Sequence, residues 1–225
     1  ACGGATQQRS GHRHMGNFQC TAAIVQSVDM AIGTNSVLNG GWGGAVRVET
    51  TTAAKLLDPG QGFGSRVQAG YTANASNSAS LTAYGKPGAG LDFLLYHNQV
   101  ERDNYEVGGG EIKLHDGSVA PATDGKVRGL EGKVRDSLLK LGWDASTNHR
   151  LEIGYESYLD RGDYSYRPDM GLATDLAIGD SLDAPLLWPT EFSRDTLTFN
   201  YDAEFADTQL KLALFNNQSA LERDE

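Results

Sequence analysis

No run of about 18 apolar residues occurs in the 225-residue chain, so no transmembrane helix is expected. That shortage does not exclude a membrane protein. A barrel strand crosses with about 9–11 residues, and only alternate ones must be apolar. Proline is scarce, at 6 residues, which argues against a Pro-rich disordered segment. The 28 glycines follow no Gly-X-Y period, which excludes collagen. Basic residues are outnumbered, 19 against 29 acidic ones, for a formal net charge of −10. Such a balance points away from nucleic acid, because phosphate binding needs a basic surface. Only Cys2 and Cys20 are present, and their spacing fits no zinc motif. A disulfide between them is permitted in the periplasm, with two unrelated thiols as the alternative. The first residues, Ala1 to Ala5, have neither a charged n-region nor an apolar h-region, so they do not read as a signal peptide.

What is present divides near residue 58. Before it, segments are short and rich in glycine. Ala23–Ile32 reads as a helical turn followed by a strand, residues 33–44 as a glycine-dense turn, and Ala45–Thr50 as a strand with period-2 alternation. After it, seven segments read as strands: Phe63–Asn74, Ser78–Gly85, Leu91–Val100, Val134–Asp144, Arg150–Tyr158, Asp195–Phe205 and Gln209–Gln218. Thr196–Phe205 alternates most cleanly. Leu197, Phe199, Tyr201, Ala203 and Phe205 point one way, and Thr196, Thr198, Asn200, Asp202 and Glu204 the other.

The connections select an architecture. Lys86–Gly90, Ala145–His149 and Ala206–Thr208 are short, whereas Glu101–Lys133 and Leu159–Arg194 are long and polar. A transmembrane barrel has tight periplasmic turns and long outer loops. A soluble sandwich has little use for long structureless loops. Tyr71, Tyr96, Trp143 and Tyr158 lie near strand ends, where interfacial girdles form, although ordinary strand aromatics occur there too. A plugged barrel has roughly 22 strands. The expected fold class is therefore all-β with a small α/β portion: an incomplete antiparallel transmembrane β-barrel within an internal piece of a longer protein.

The segment from Gly11-His12 through Thr50, followed by Ala53-Ala-Lys-Leu-Leu-Asp-Pro-Gly-Gln61, resembles the TonB-dependent haem and haemoglobin receptors. In that family a Gly-His loop in the plug precedes a strand, a Glu-Thr pair ends another, and a linker ending Pro-Gly-Gln enters the barrel. Ser137–Trp143, His149–Tyr155 and Arg194–Tyr201 are similar to the paired strands that follow. The chain departs from the pattern at three places. Ile32-Gly33-Thr34 stands for an Arg-Gly-Pro turn, Gly41-Trp42-Gly43-Gly44 for a longer glycine segment, and Cys20-Thr21 for an Asp-Pro. The resemblance implies that residues 1–57 are the C-terminal part of a plug and 58–225 the first strands, about seven, of the barrel.

It also implies a transporter rather than an enzyme, in the outer membrane of a Gram-negative bacterium. Haem, free or delivered by haemoglobin or a haemophore, is the implied transported ligand. The TonB energy-coupling complex and outer-membrane lipid are the implied partners. Neutral imidazole ligates haem iron axially. By position His12 matches the plug histidine and is the implied metal ligand, with His14 the alternative and Arg13 placed to pair with a propionate. His115, in the first long loop, is a weaker candidate for the barrel side. His97 and His149 read as plain polar residues at strand ends. His12-Arg13-His14 as a zinc or copper site is a weak reading, because structural sites take four ligands.

Other motifs carry less. Ser137-Leu-Leu-Lys140 matches the Ser-x-x-Lys of penicillin-binding enzymes, yet neither Ser-Asp-Asn nor Lys-Thr-Gly accompanies it. Asp160-Arg-Gly-Asp163 reads as a solvated turn rather than a calcium loop. Gly108-Gly-Gly110 lacks the Lys-Ser/Thr of a phosphate loop. Two alternatives stay open: a ferric-siderophore receptor of the same class, and a small structural or adhesive outer-membrane barrel without a plug.

Overall fold

A computed structural model describes residues 24–32, 44–72, 76–111, 113–119, 125–165 and 187–224. Near the N-terminus, β1 (Val25–Ile32) pairs antiparallel with β2 (Gly44–Thr50). One helical turn, α1 (Ala53–Leu56), follows. The seven main strands are β3 (Phe63–Thr72), β4 (Ser76–Gly88), β5 (Leu91–Arg102), β8 (Gly132–Ser146), β9 (His149–Ser165), β10 (Leu187–Phe205) and β11 (Thr208–Arg223). They form one antiparallel meander in the order β11-β10-β9-β8-β5-β4-β3. A two-stranded ribbon, β6 (Tyr105–Glu106) and β7 (Lys126–Val127), stands within the long connection between β5 and β8. Among the described residues the sheet does not close on itself.

All seven expected strands are present. The short turns lie at Ala89-Gly90, Thr147-Asn148 and Ala206-Asp207. Gly90 illustrates their demands: its φ is +75°, any Cβ there would run into the Asp144 carbonyl oxygen, and its own carbonyl accepts from the Asp144 N–H at 2.8 Å.

Two expectations are corrected in extent. Leu159–Arg194 is not a loop throughout, because β9 continues to Ser165 and β10 begins at Leu187. Pairing runs unbroken from Leu187↔Ser165 to Ala203↔His149. Glu101–Lys133 is likewise partly ordered. Beyond the ribbon, a Lys113↔Val119 bridge frames a turn, and the Asn104 amide bonds Glu131 and the Leu130 N–H, each at 3.3 Å.

The two faces of the sheet differ in chemistry. One is covered: Ile24, Ala53, Leu56 and Leu57 pack on Tyr84, Leu94, Tyr96 and Leu138. The other is open and apolar. The pairings place Phe93, Leu141, Ile153, Phe199 and Leu214 side by side on it. Leu95, Leu139, Tyr155 and Leu197 form the next row towards the long loops, and Leu91, Trp143, Leu151 and Tyr201 the next row towards the turns. A continuous apolar surface this wide is not a water-facing surface. It has the composition of a lipid-facing band.

The band ends sharply. One row above Leu95–Leu197 stand His97, Ser137, Ser157 and Asp195, with Tyr155 donating its hydroxyl to Asp195 at 2.8 Å. Higher on the same face, Lys133 pairs with Glu101 at 3.1 Å and Arg161 with Glu191. Outward positions there need not be apolar, so the hydropathy signal fades before the ladder does. That is why the strands outrun their expected ends. Two girdle assignments fail for a related reason. Tyr96 and Tyr158 are buried on the covered face, while Trp143 and Tyr71 are exposed.

An arginine at Ile153, in the middle of the band, should destabilise the intact protein in lipid by about 2–4 kcal/mol. The same change at Ser157, above the band, should cost about 1 kcal/mol or less. Denaturant titration in reconstituted vesicles compares the two. Equal costs would remove the assigned band.

Candidate functional site

The covered face carries charge as well as apolar side chains. A buried ion is tolerated when it is paired and hydrogen-bonded. Strand alternation that sends leucines outward sends Asp92, Asp136, Lys140, Arg150, Glu152, Glu156, Asp160 and Arg194 inward.

Near the short turns, Arg150 Nη1 donates to Asp92 at 2.7 Å and to Asp144 at 2.8 Å, and Nη2 lies 3.5 Å from Glu152. Gly142 lies between Asp92 and Glu152 in the pairing. A Cβ there would stand 2.5 Å from Asp92 Oδ2 and collide with the Arg150 guanidinium, so glycine leaves the space the ion pair fills. One step along the strand, Lys140 Nζ meets Glu152 Oε1 at 3.2 Å and the carbonyls of Thr50 and Thr51 at 3.2 and 3.4 Å.

Towards the long loops, Arg194 donates to Glu156 at 2.8 Å, with both side chains almost wholly buried, and its guanidinium stacks over the Tyr158 ring. Farther up, Arg102 donates to Asp160 at 2.9 Å and to the Tyr164 hydroxyl at 2.6 Å, and Tyr164 donates in turn to Asp160. The arrangement forms a polar wall of fixed dipoles and ion pairs. No nucleophile–base pair suited to covalent chemistry stands out among these residues.

His12, Arg13 and His14 lie outside the described residues, as do Cys2 and Cys20. His115 sits exposed in the turn closed by Leu114 N–H to Ser118 O at 2.8 Å. Beside it the Ser118 hydroxyl and amide hold the Asp116 carboxyl below its usual range. His97 meets Ser137 Oγ at 2.9 Å, and His149 meets the Tyr201 hydroxyl at 2.7 Å. Among the described residues no group of three or more His, Cys, Asp or Glu is placed to hold a metal.

Ser137 and Lys140 occupy opposite faces of β8, so their sequence motif builds no dyad. Asp160-Arg-Gly-Asp163 is strand rather than turn, with Asp160 bound to Arg102 and Arg161 to Glu191. Sequence reasoning set Arg150, Glu152 and Glu156 opposite Leu151, Ile153 and Tyr155 but missed the ion pairs the inward charges form. Their signal was available, because they fall in step with the outward leucines.

No protein-family model matches the chain. It is 30% identical over 202 residues to the heme transporter BhuA of Brucella ovis, covering 88% of this chain and 26% of that protein. The same figures hold for BhuA of Brucella abortus. The chain thus spans about a quarter of the length of these relatives. Among solved structures, the FrpB iron transporter of Neisseria meningitidis superposes with a TM-score of 0.67 in its F5-1 variant, at 23% identity over 92% of this chain and 30% of that one. The F3-3 variant gives a TM-score of 0.66 at 22% identity, over 89% of this chain and 29% of that one.

Along most of its length the chain resembles the TonB-dependent outer-membrane transporters. The relatives are transporters, not enzymes. Their outer-membrane setting accounts for the open apolar face as the side turned to lipid, and leaves the charged, covered face for the barrel interior.

In the intact protein Glu156→Gln should cost more than a neutral change does, because it leaves Arg194 charged and buried. Arg194→Met should cost about 3–5 kcal/mol for the mirror reason. The double replacement should cost less than the two singles summed. A double-mutant cycle by chemical unfolding of the reconstituted receptor measures this. Strict additivity would show that the pair is not coupled.

Proposed function

We propose that the chain is the junction of plug and barrel in a TonB-dependent transporter that takes up haem. Residues 1–57 are the C-terminal part of the plug, and 58–225 contribute the first strands of the barrel. The observation that carries this reading is the 30% identity to a heme transporter over 88% of the chain. The fold is consistent with it. Ile24, Ala53, Leu56 and Leu57 pack on the covered face of the sheet, and the Thr50 carbonyl accepts from Lys140 there, which is the kind of contact a plug makes with the inside of a barrel wall.

Haem, free or handed over by haemoglobin or a haemophore, is the transported ligand, and the receptor itself bears no cofactor. His12 is the plug-side iron ligand or His14 stands in its place, while Arg13 meets a propionate. Imidazole donates to the iron through a neutral ring nitrogen. A guanidinium forms charge-assisted hydrogen bonds to a carboxylate. Energy comes through TonB, which displaces the plug.

Titration of the full-length receptor with haem, followed by visible absorption, tests the ligand. Wild type should give a saturable Soret band typical of histidine-bound iron, and His12→Ala or His14→Ala should weaken or shift it. Saturable binding unchanged in both variants would keep haem and discard these ligands. No binding at all would overturn the haem reading in favour of a ferric siderophore.

A further inference from the structure

Lys140 is a charge inside the wall with an unusual set of partners. Its side chain is 9% exposed. An ammonium has three donors and no acceptor capacity. Three acceptors surround it: Glu152 Oε1 at 3.2 Å, Thr50 O at 3.2 Å and Thr51 O at 3.4 Å. One partner is on the neighbouring strand. The other two are main-chain carbonyls some 90 residues earlier in the chain.

Those carbonyls occupy a junction. Thr50 is the last residue of β2 and pairs with Val25. The Thr51 N–H donates to Ile24 O at 2.8 Å. Two residues on, Ala53 is fully buried in the apolar cluster with Tyr84, Leu94, Tyr96 and Leu138. Lys140 therefore grips the chain where the β1–β2 pair gives way to the segment seated on the wall. A backbone carbonyl cannot be removed by side-chain replacement at Thr50 or Thr51, so this polar contact can be deleted only from the lysine side. Gly154, the partner of Lys140 on β9, leaves room for Thr198 Oγ1, which a Cβ there would crowd at 2.6 Å.

We propose that Lys140, held by Glu152, is a positioning residue that fixes residues 50–57 to the barrel wall while the plug before them is displaced during uptake. This rests on the plug and barrel reading of the previous section. A pull applied to the plug travels along β2 and stops at the Thr50 and Thr51 carbonyls. The displaced part returns to the same seat after each cycle.

The test uses the full-length receptor. Lys140→Met keeps the stem and removes the cation, Lys140→Arg keeps the cation, and Glu152→Gln weakens its orientation. Hydrogen exchange is read in reconstituted wild type and variants, beside ligand affinity and cellular uptake. In Lys140→Met, exchange of the amides in residues 50–57 should rise tenfold or more, with β8 and β9 unchanged. Affinity should stay within about twofold while maximal uptake falls at least fivefold, and Lys140→Arg should restore both. Glu152→Gln should give a smaller change of the same kind. Unaltered exchange at 50–57 would overturn the proposal, and so would a rise spread along β8 and β9 or a parallel loss of affinity and uptake. Failure of haem to bind wild type would sink the proposed ligand and leave the exchange result to judge the latch by itself.

Discussion

The requirement that backbone polar groups find partners away from water governs everything else in this chain. Lipid supplies no donors or acceptors, so a strand crossing it must be paired on both sides. The ladder from β3 to β11 satisfies this for the five inner strands. It holds from the short turns up into the long loops, with register shifts only beside the turns, at Gly85/Gly88 and Asp144/Ser146. Once pairing is continuous, side-chain alternation is fixed at every position, and a slip of one residue would exchange leucines with ion pairs.

That exchange would be costly on both faces, so charge and hydropathy specify the same register. Asp92, Gly142 and Glu152 form one inward row, and Leu91, Trp143 and Leu151 an outward row one residue away. A slip would carry Arg150 into lipid and leave Asp92 buried without its partner. The buried pairs need not raise stability to matter, because an ion pair seldom outperforms a well-packed apolar substitute. Their effect here is to make alternatives worse and to line the interior with fixed polar groups.

Much of this was legible in the sequence. Period-2 alternation located all seven strands, and unequal connections separated the two ends of the wall. Strand ends were not legible where β9 and β10 rise above the band, since Arg161, Asp163, Glu191 and Ser193 look like loop although they pair as strand. Tyr96 and Tyr158 misled for the opposite reason. Position along a strand gives depth, but only the alternation phase gives the face, and both tyrosines share the phase of Asn98 and Glu156. The Ser137 and Lys140 spacing of three residues shows the same rule, because an odd step on a strand reverses the face.

The site was less legible than the fold because its chemistry is assembled across strands. Lys140, Glu152 and the Thr50–Thr51 carbonyls come from three separated stretches, and two of the acceptors belong to the backbone, which no side-chain pattern reports. The histidines that a resemblance singled out are local in sequence and were easy to name, while the described residues hold no comparable cluster. The wall can be understood without them. An apolar exterior fixes how it sits in lipid, an inward charge row fixes its register, and one lysine joins that row to the chain arriving from β2. On the proposed transport reading, a plug that moves against a static wall needs a boundary between what moves and what stays, and the physical candidates for it are the few contacts around Thr50 and Thr51.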